Sequence, residues 1–122
     1  MGPSVYIPEV ACEVELPMLV EIRRYEIEPD RREEFVTFFD EEVAPEMRKV
    51  GMQILGQFVS VEDPTVFLYL RAFDDQDQRE SQTAAFYESP IWTDNLLDRA
   101  LDMETGYHVE VVTPTPGSAI GS

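Results

Sequence analysis

Residues 19–27 read Leu-Val-Glu-Ile-Arg-Arg-Tyr-Glu-Ile, and polar and aliphatic side chains alternate along the first part of this stretch. The alternation places Glu21, Arg23 and Tyr25 on one side and aliphatic residues on the other, a period of two that is typical of a β-strand. Because an ionised side chain on a central strand must be paired or face water, we expect the side that carries these three residues to line a polar cavity or a partner's surface. We call this side the Arg/Tyr face.

Length and composition predict one domain with two tails. The chain has 122 residues, 43% of them hydrophobic, which is enough for a single compact core. Residues 1–17 contain three prolines and are predicted to form an extended arm. Residues 18–113 are predicted to form the domain, and residues 114–122 a flexible C-terminal tail.

Charge and cysteine content exclude several function classes. The net charge of -16 argues against nucleic acid and membrane surfaces as partners, because the summed field repels phosphate. With one cysteine, Cys12, and one histidine, the chain has neither a disulfide framework nor a set of zinc ligands. No phosphate-binding glycine loop is present, so we expect cofactor-independent chemistry. The lack of a signal-like or membrane-spanning segment leads us to expect a cytoplasmic protein.

The order of predicted elements points to a ferredoxin-like fold. The third strand repeats the alternation of the first, with Val66, Leu68 and Leu70 on its apolar side. A βαββαβ order is typical of an α+β fold with a four-stranded antiparallel sheet and helices on one face. The predicted elements are, in order, a strand at 18–27, a helix at 31–50 kinked near Pro45, strands at 52–61 and 66–73, helices at 74–87 and 90–102, and a strand at 106–113.

A sheet with helices on one side leaves its other face uncovered. We expect the uncovered face to be the Arg/Tyr face, with the members Glu21, Arg23, Tyr25, Phe67, Tyr69, Arg71 and His108. Two such faces packed together would enclose a cavity, which predicts a homodimeric α+β barrel.

Several short motifs in this order resemble the NIPSNAP-like family of the dimeric α+β barrel superfamily. Residues 21–30 resemble that family's Glu-Leu-Arg-x-Tyr opening, residues 70–74 its third strand, and residues 89–92 its Asp-Pro-x-Trp motif. Phe35, Pro45 and Gly51 resemble its first helix, and Arg79 resembles an arginine of its second. The resemblance implies a dimeric barrel with a small-molecule cavity but assigns no reaction. Arg71 stands where the family tends to have Trp, which suggests a changed ligand.

Arg23 and Arg71 are the predicted substrate-binding cations. Two planar guanidinium groups could clamp a carboxylate, enolate or phenolate. The alternative is that each arginine is neutralised by Glu21 or Glu110 in an ion pair. We also expect Tyr25 and Tyr69 to donate hydrogen bonds to an oxyanion, or to act as general acids if a nearby arginine lowers their pKa.

His108 is the first candidate for a general base, because histidine titrates near neutral pH; the alternative is a surface position on the last strand. Glu21 is the second candidate if burial raises its pKa, and otherwise it is the counterion of Arg23. Phe67 and Trp92 are predicted to contact the substrate, although Trp92 could instead close the end of the barrel.

The leading functional hypothesis is a homodimeric barrel that binds a small organic molecule. We expect cyclase, isomerase or lyase chemistry by acid and base groups on an anionic or enolisable carbonyl or phenolic compound, with secondary metabolism as the setting. The alternatives are a non-catalytic binding or assembly module and a cofactor-free monooxygenase.

Overall fold

A computed structural model describes residues 18–120. The predicted arm at residues 1–17, with Cys12, therefore lies outside the described residues. Two helical stretches contain a wider π-helical turn, which we label π1 and π2. The elements are β1 (Leu19–Ile27), α1 (Arg32–Phe38), π1 (Phe39–Val43), α2 (Ala44–Lys49), β2 (Gln53–Val59), β3 (Val66–Phe73), α3 (Gln76–Tyr87), π2 (Trp92–Leu96), α4 (Leu97–Met103) and β4 (Glu104–Val112).

The four strands form one antiparallel sheet in the order β2-β3-β1-β4. The two central strands, β1 and β3, pair so that Glu21 lies opposite Arg71 and Arg23 lies opposite Tyr69. Directly paired residues point to the same side of a sheet. This register therefore gathers the charged and phenolic side chains of both central strands in one place. The predicted ferredoxin-like α+β fold is confirmed.

The predicted irregularity of the first helix has a clear cause in Pro45. The helix widens into π1 at Phe39–Val43 immediately before the α2 turn that contains this proline. Proline lacks a backbone N–H and its ring clashes with the preceding turn, and a wider turn relieves both effects. Gly51 ends the helix with φ of +96°, a conformation that residues with a Cβ rarely adopt.

The expectation that the Arg/Tyr face is uncovered is wrong. The chain's own helices cover it: the ring centroids of Tyr69 and Phe39 are 4.5 Å apart, and those of Tyr25 and Phe35 are 6.3 Å apart. Arg71 is 1% exposed. The polar groups on this face can be buried because they bond to one another and to helix side chains, which removes the need for contact with water. The expected cavity walls therefore belong to one chain.

The opposite side of the sheet is the one with no described helix packed on it. It carries the aliphatic residues of the central strands, among them Ile22, Leu68 and Leu70, all half-buried. We call it the aliphatic face. Phe58 of β2 pairs with Leu68 and is 50% exposed on the same side.

His108 lies on the aliphatic face, in contradiction to its predicted place on the Arg/Tyr face. It pairs with Arg24 of β1, and the alternation puts Arg24 on the side opposite Arg23. Its side chain is exposed. The surface position that was the alternative for this histidine is the one that the structure has.

Candidate functional site

A buried carboxylate on β1 is the centre of the polar cluster beneath the helices. Glu21 is 2% exposed and accepts hydrogen bonds from three arginines. Its Oε1 atom is 2.8 Å from Nη1 of Arg23 and 2.6 Å from Nε of Arg71, and its Oε2 atom is 2.6 Å from Nε of Arg79 on α3. Two of the arginines come from the sheet and one from the helix, so this carboxylate links the two layers.

These contacts determine the role of Glu21. Burial raises its pKa, but Arg71, Arg79 and Arg23 together outweigh burial and lower the pKa from 4.5 to about 2. A carboxylate that remains ionised throughout the neutral range is too weak a base to remove a proton from a carbon or phenol. Glu21 is therefore the counterion of the arginines, which was the second of the two predicted roles.

Three tyrosine hydroxyls surround the same arginines. Nε of Arg23 donates to the Tyr25 hydroxyl at 2.9 Å, and Nη1 of Arg71 donates to the hydroxyls of Tyr87 at 3.0 Å and Tyr69 at 3.3 Å. Burial raises the pKa of both Tyr25 and Tyr69, more than the nearby arginines lower it. The condition for their action as general acids, a pKa lowered by a nearby arginine, is therefore not met. Both phenols stay protonated at neutral pH and remain hydrogen-bond donors.

Two cavities between the sheet and α3, π2 and α4 meet at Arg23 and Tyr87. The cationic cavity, about 520 Å³, contains the three arginines. The aromatic cavity, about 330 Å³, lies on the other side of Arg23. The cationic cavity is lined by Glu21, Arg23, Arg71, Arg79, Glu80, Thr83, Ala84, Tyr87 and Glu88. The aromatic cavity is lined by Arg23, Tyr25, Tyr87, Trp92, Leu97, Leu101, Glu104 and Tyr107.

Glu104 is the titratable group of the aromatic cavity. Burial raises its pKa from 4.5 to about 7, and the attraction of Arg23 opposes only part of this effect. Within residues 18–120 its carboxylate forms no ion pair within 4 Å and no hydrogen bond. A carboxyl group that is half ionised near neutral pH can both accept and return a proton. The cavity thus combines an available acid/base group with a fixed cation.

The family of the chain follows from a comparison with protein-family models. The model named NIPSNAP matches residues 20–119, which is most of the sequence. The chain belongs to the NIPSNAP family. The predicted resemblance is confirmed, and the matched range includes every residue of the two cavities.

Solved structures share the fold of this NIPSNAP chain. A NIPSNAP-like domain protein from Burkholderia xenovorans has 22% identity and a TM-score of 0.76, with 83% of this chain and 88% of that chain covered. A NIPSNAP family protein from Agrobacterium tumefaciens has 22% identity and a TM-score of 0.76, with 84% and 98% covered. A proposed antibiotic biosynthesis monooxygenase from Nitrosomonas europaea has 18% identity and a TM-score of 0.66, with 87% and 98% covered. A search of curated proteins found no significant match.

The remaining predicted site residues of the NIPSNAP domain separate into two groups. Trp92 lies at the aromatic cavity, packed against Tyr87 with ring centroids 5.2 Å apart. Phe67 is 1% exposed in the core, where it packs edge-on against Phe35 at 5.2 Å, and it lines neither cavity. His108 lies on the opposite side of the sheet. The geometry therefore joins Arg23, Tyr25 and Trp92 with Glu104.

Glu104 was missed because a β-bulge changes the face on which it lies. Glu26 pairs with Gly106, but the next residue, Ile27, pairs with Glu104, so β4 contains one extra residue at this point. Simple alternation from Tyr107 would place Glu104 on the aliphatic face. The bulge puts it beside the 1% exposed Ile27, on the helix-covered side. Among 25 acidic residues, the sequence offered no signal that would distinguish this one.

The described residues have neither a cluster of metal ligands nor a helix suited to span a membrane. Residues 18–120 contain no group of three or more histidine, cysteine and acidic side chains placed to hold a metal ion. In the same range, no helix has the length and hydropathy that crossing a bilayer requires.

Proposed function

We propose that this NIPSNAP protein binds a small enolisable carbonyl or phenolic compound and transfers protons on it without a cofactor. The observation that carries the proposal is Glu104, a carboxyl group without a partner among the described residues, in the same cavity as Arg23. The cavity of about 330 Å³ lies within the usual size range of small-molecule sites.

Each group has a defined part in such a reaction. Glu104 removes a proton from the carbon next to a carbonyl, or from a phenol, and returns it at another position. The Arg23 guanidinium stabilises the negative charge that develops on the substrate oxygen. Trp92 and Tyr107 are aromatic walls suited to a planar ring. Arg71 acts indirectly, because its bonds to Glu21 and Tyr87 hold the polar cluster in place.

Proton exchange at carbon tests this proposal without knowledge of the natural substrate. The probe is ethyl 2-oxocyclohexanecarboxylate in D2O, and ¹H NMR follows the loss of the signal of the proton between its two carbonyls. The protein should accelerate exchange above the buffer rate, with an inflection near pH 7 where Glu104 ionises. The rate should rise with pH, because the carboxylate is the base.

The variant Glu104→Gln should return exchange to the buffer rate. Glu110→Gln is the matched control, because Glu110 is an exposed acid opposite Ile22 on the aliphatic face. Equal rates in the wild-type protein, Glu104→Gln and buffer would contradict the catalytic proposal and favour a non-catalytic binding module.

A cofactor-free monooxygenase is the second candidate, favoured by the shared fold with the proposed monooxygenase from Nitrosomonas europaea. In such a reaction, Glu104 would deprotonate a phenolic substrate, and the electron-rich anion would react with dioxygen. Oxygen consumption in the presence of a phenol, measured with an electrode, separates this candidate from simple proton transfer. A phenol that binds without oxygen uptake would exclude it for that compound.

We also propose that two copies of the chain pair through the aliphatic face. On this face Phe58 is 50% exposed, and Ile22, Leu68 and Leu70 are half-buried. Of these, Leu68 is directly paired with Phe58. Covering such side chains is favourable by about 25 cal/mol per Å². Light scattering should give twice the mass of one chain, and Leu68→Asp should give the mass of one.

A further inference from the structure

The ion-paired cluster that lines the cationic cavity contains more guanidinium groups than carboxylates. Arg23, Arg71 and Arg79 all form ion pairs with Glu21, so three guanidinium groups share one carboxylate. Two other acids, at positions 80 and 88, line the cavity, but neither forms an ion pair with these arginines within 4 Å in the described part of the chain. The ion-paired cluster of Glu21 and the three arginines therefore has a net charge of +2. The two other acids, which are exposed, balance this charge over the whole lining but do not contact the guanidinium groups.

Hydrogen-bond donors in this cavity are also left over. Arg23 uses its Nε and Nη1 atoms on Tyr25 and Glu21, and Arg79 uses the same two atoms on Glu21 and Gln76. Neither Nη2 atom has an acceptor within hydrogen-bond distance among residues 18–120. The hydroxyl oxygen of Thr83, which lines the same cavity, is buried and has no hydrogen-bond partner in the described range. An unsatisfied buried hydroxyl is costly, and the two Nη2 groups beside it are free to bond to an acceptor in the cavity, so the three together suit an anionic group.

Another groove of the same protein is also lined by arginines, but there each arginine has its own acidic partner. A groove of about 500 Å³ beside α1 and α4 is also lined by two arginines, Arg31 and Arg99. There, Arg31 pairs with Glu34 and Asp102, and Arg99 pairs with Glu42. These charges are compensated locally. Of these two depressions in the described part of the chain, the cationic cavity is the one in which several arginines share a single carboxylate, in a chain with a net charge of -16.

We infer that the cationic cavity is a binding subsite for an anionic substituent, a carboxylate or phosphate, of the ligand whose reacting part lies beside Glu104. The inference rests on the proposed function and adds the second half of the ligand. The two cavities share Arg23 and Tyr87, so one molecule can extend from one to the other. Arg79 and the inner hydroxyl of Thr83 bind the anion, whereas Arg23 contacts both parts.

Calorimetry with a matched pair of probes tests this subsite. 4-Hydroxybenzoate and 4-hydroxybenzamide have the same ring and phenol but differ in charge, and inorganic phosphate tests the anion alone. The acid should bind about tenfold or more tightly than the amide, because charge-assisted hydrogen bonds to arginine are the stronger kind. Arg79→Gln should remove this difference and leave the affinity for the amide unchanged, and Thr83→Val should reduce the difference by a few-fold.

Two further variants provide a control and a replacement in case Arg79→Gln does not fold. Arg99→Gln removes an arginine from the unrelated groove and should change neither affinity. If Arg79→Gln does not fold, Arg79→Lys keeps the charge but loses the planar fork, and it should retain phosphate binding while weakening binding of the carboxylate.

The outcomes separate this inference from the proposed function. Equal affinities for acid and amide, with both bound, would overturn the anion subsite and leave the acid/base proposal standing. Phosphate binding that depends on Arg79, without binding of either ring compound, would support the anion subsite and contradict ligand binding in the aromatic cavity. If none of the three probes binds, both proposals fail.

Discussion

Replacing Glu21 by glutamine tests whether the buried polar cluster stabilises the fold. The substitution preserves the size of the side chain but removes the negative charge that three arginines share, with contacts of 2.6 to 2.8 Å. Arg71 is 1% exposed, so its charge cannot be transferred to water without opening the core. We therefore expect a large loss of stability from a change of a few atoms.

The pKa of Glu21 gives the size of this loss. A drop from 4.5 to about 2, at about 1.36 kcal/mol per pKa unit, corresponds to about 3 kcal/mol in favour of the ionised form in the folded state. Removing one partner of a buried ion pair costs about 3–5 kcal/mol in general, which agrees. Because the folded-state pKa is lowered, this contribution is complete above pH 4.5 and disappears as the pH falls through about 2.

Urea unfolding at 25 °C, followed by the fluorescence of Trp92, measures the effect. With an unfolding slope of about 1.5 kcal/mol per molar urea, Glu21→Gln should lower the midpoint at pH 7 by about 2 M. Glu42→Gln is the control, because it removes an exposed carboxylate that also pairs with an arginine, Arg99, at 2.6 Å. Exposed pairs contribute less than about 1 kcal/mol.

The dependence on pH distinguishes loss of charge from general damage to packing. The difference between the wild-type protein and Glu21→Gln should narrow between pH 4.5 and about 2, as Glu21 takes up a proton in the wild-type protein. A loss no larger than that of Glu42→Gln, or a difference that stays constant over this pH range, would refute the reasoning.

Two further predictions concern the acid/base assignments. Glu104→Gln should stabilise the protein by roughly 2–3 kcal/mol at pH 8 and by little at pH 4. The reason is that the folded-state pKa of Glu104 is raised to about 7, so that its ionisation opposes folding. Urea unfolding at both pH values measures the effect, and equal stability of variant and wild-type protein at pH 8 would show that Glu104 is well solvated. His108→Asn should leave the exchange rate of ethyl 2-oxocyclohexanecarboxylate unchanged, because His108 lies across the sheet from the cavities; a rate lowered tenfold or more would restore this histidine as the catalytic base.

The sequence was sufficient to predict the strands and the order of the elements. The alternation of β3 fixed its limits at Val66–Phe73, and the structure has the same limits. Pro45 and Gly51 marked the irregular turn and the end of the first helical stretch, because each imposes a backbone constraint that does not depend on distant contacts. Local rules of this kind can be read from a single chain.

The sequence was insufficient to predict which face of the sheet the helices cover. Alternation separates Arg23 from Ile22 but does not say which of them is inside. The prediction assumed that ionised groups stay near water. In the structure Glu21 and three arginines neutralise one another in part, and Arg79 of this group comes from a helix 58 residues away in sequence. Only the three-dimensional arrangement shows that the polar groups have partners, and only the bulge beside Ile27 shows that Glu104 joins them.

The covered Arg/Tyr face changes the relation between dimer formation and chemistry. A cavity between two sheets would have required residues from both subunits, whereas Arg23, Tyr87 and Glu104 of one chain line the same cavity. The aliphatic face, where we propose that two copies meet, is on the other side of the sheet. Monomeric Leu68→Asp should therefore retain the affinity for 4-hydroxybenzoate within about twofold, measured by calorimetry alongside its mass by light scattering. A folded monomer that no longer binds this compound would mean that the partner chain completes the site.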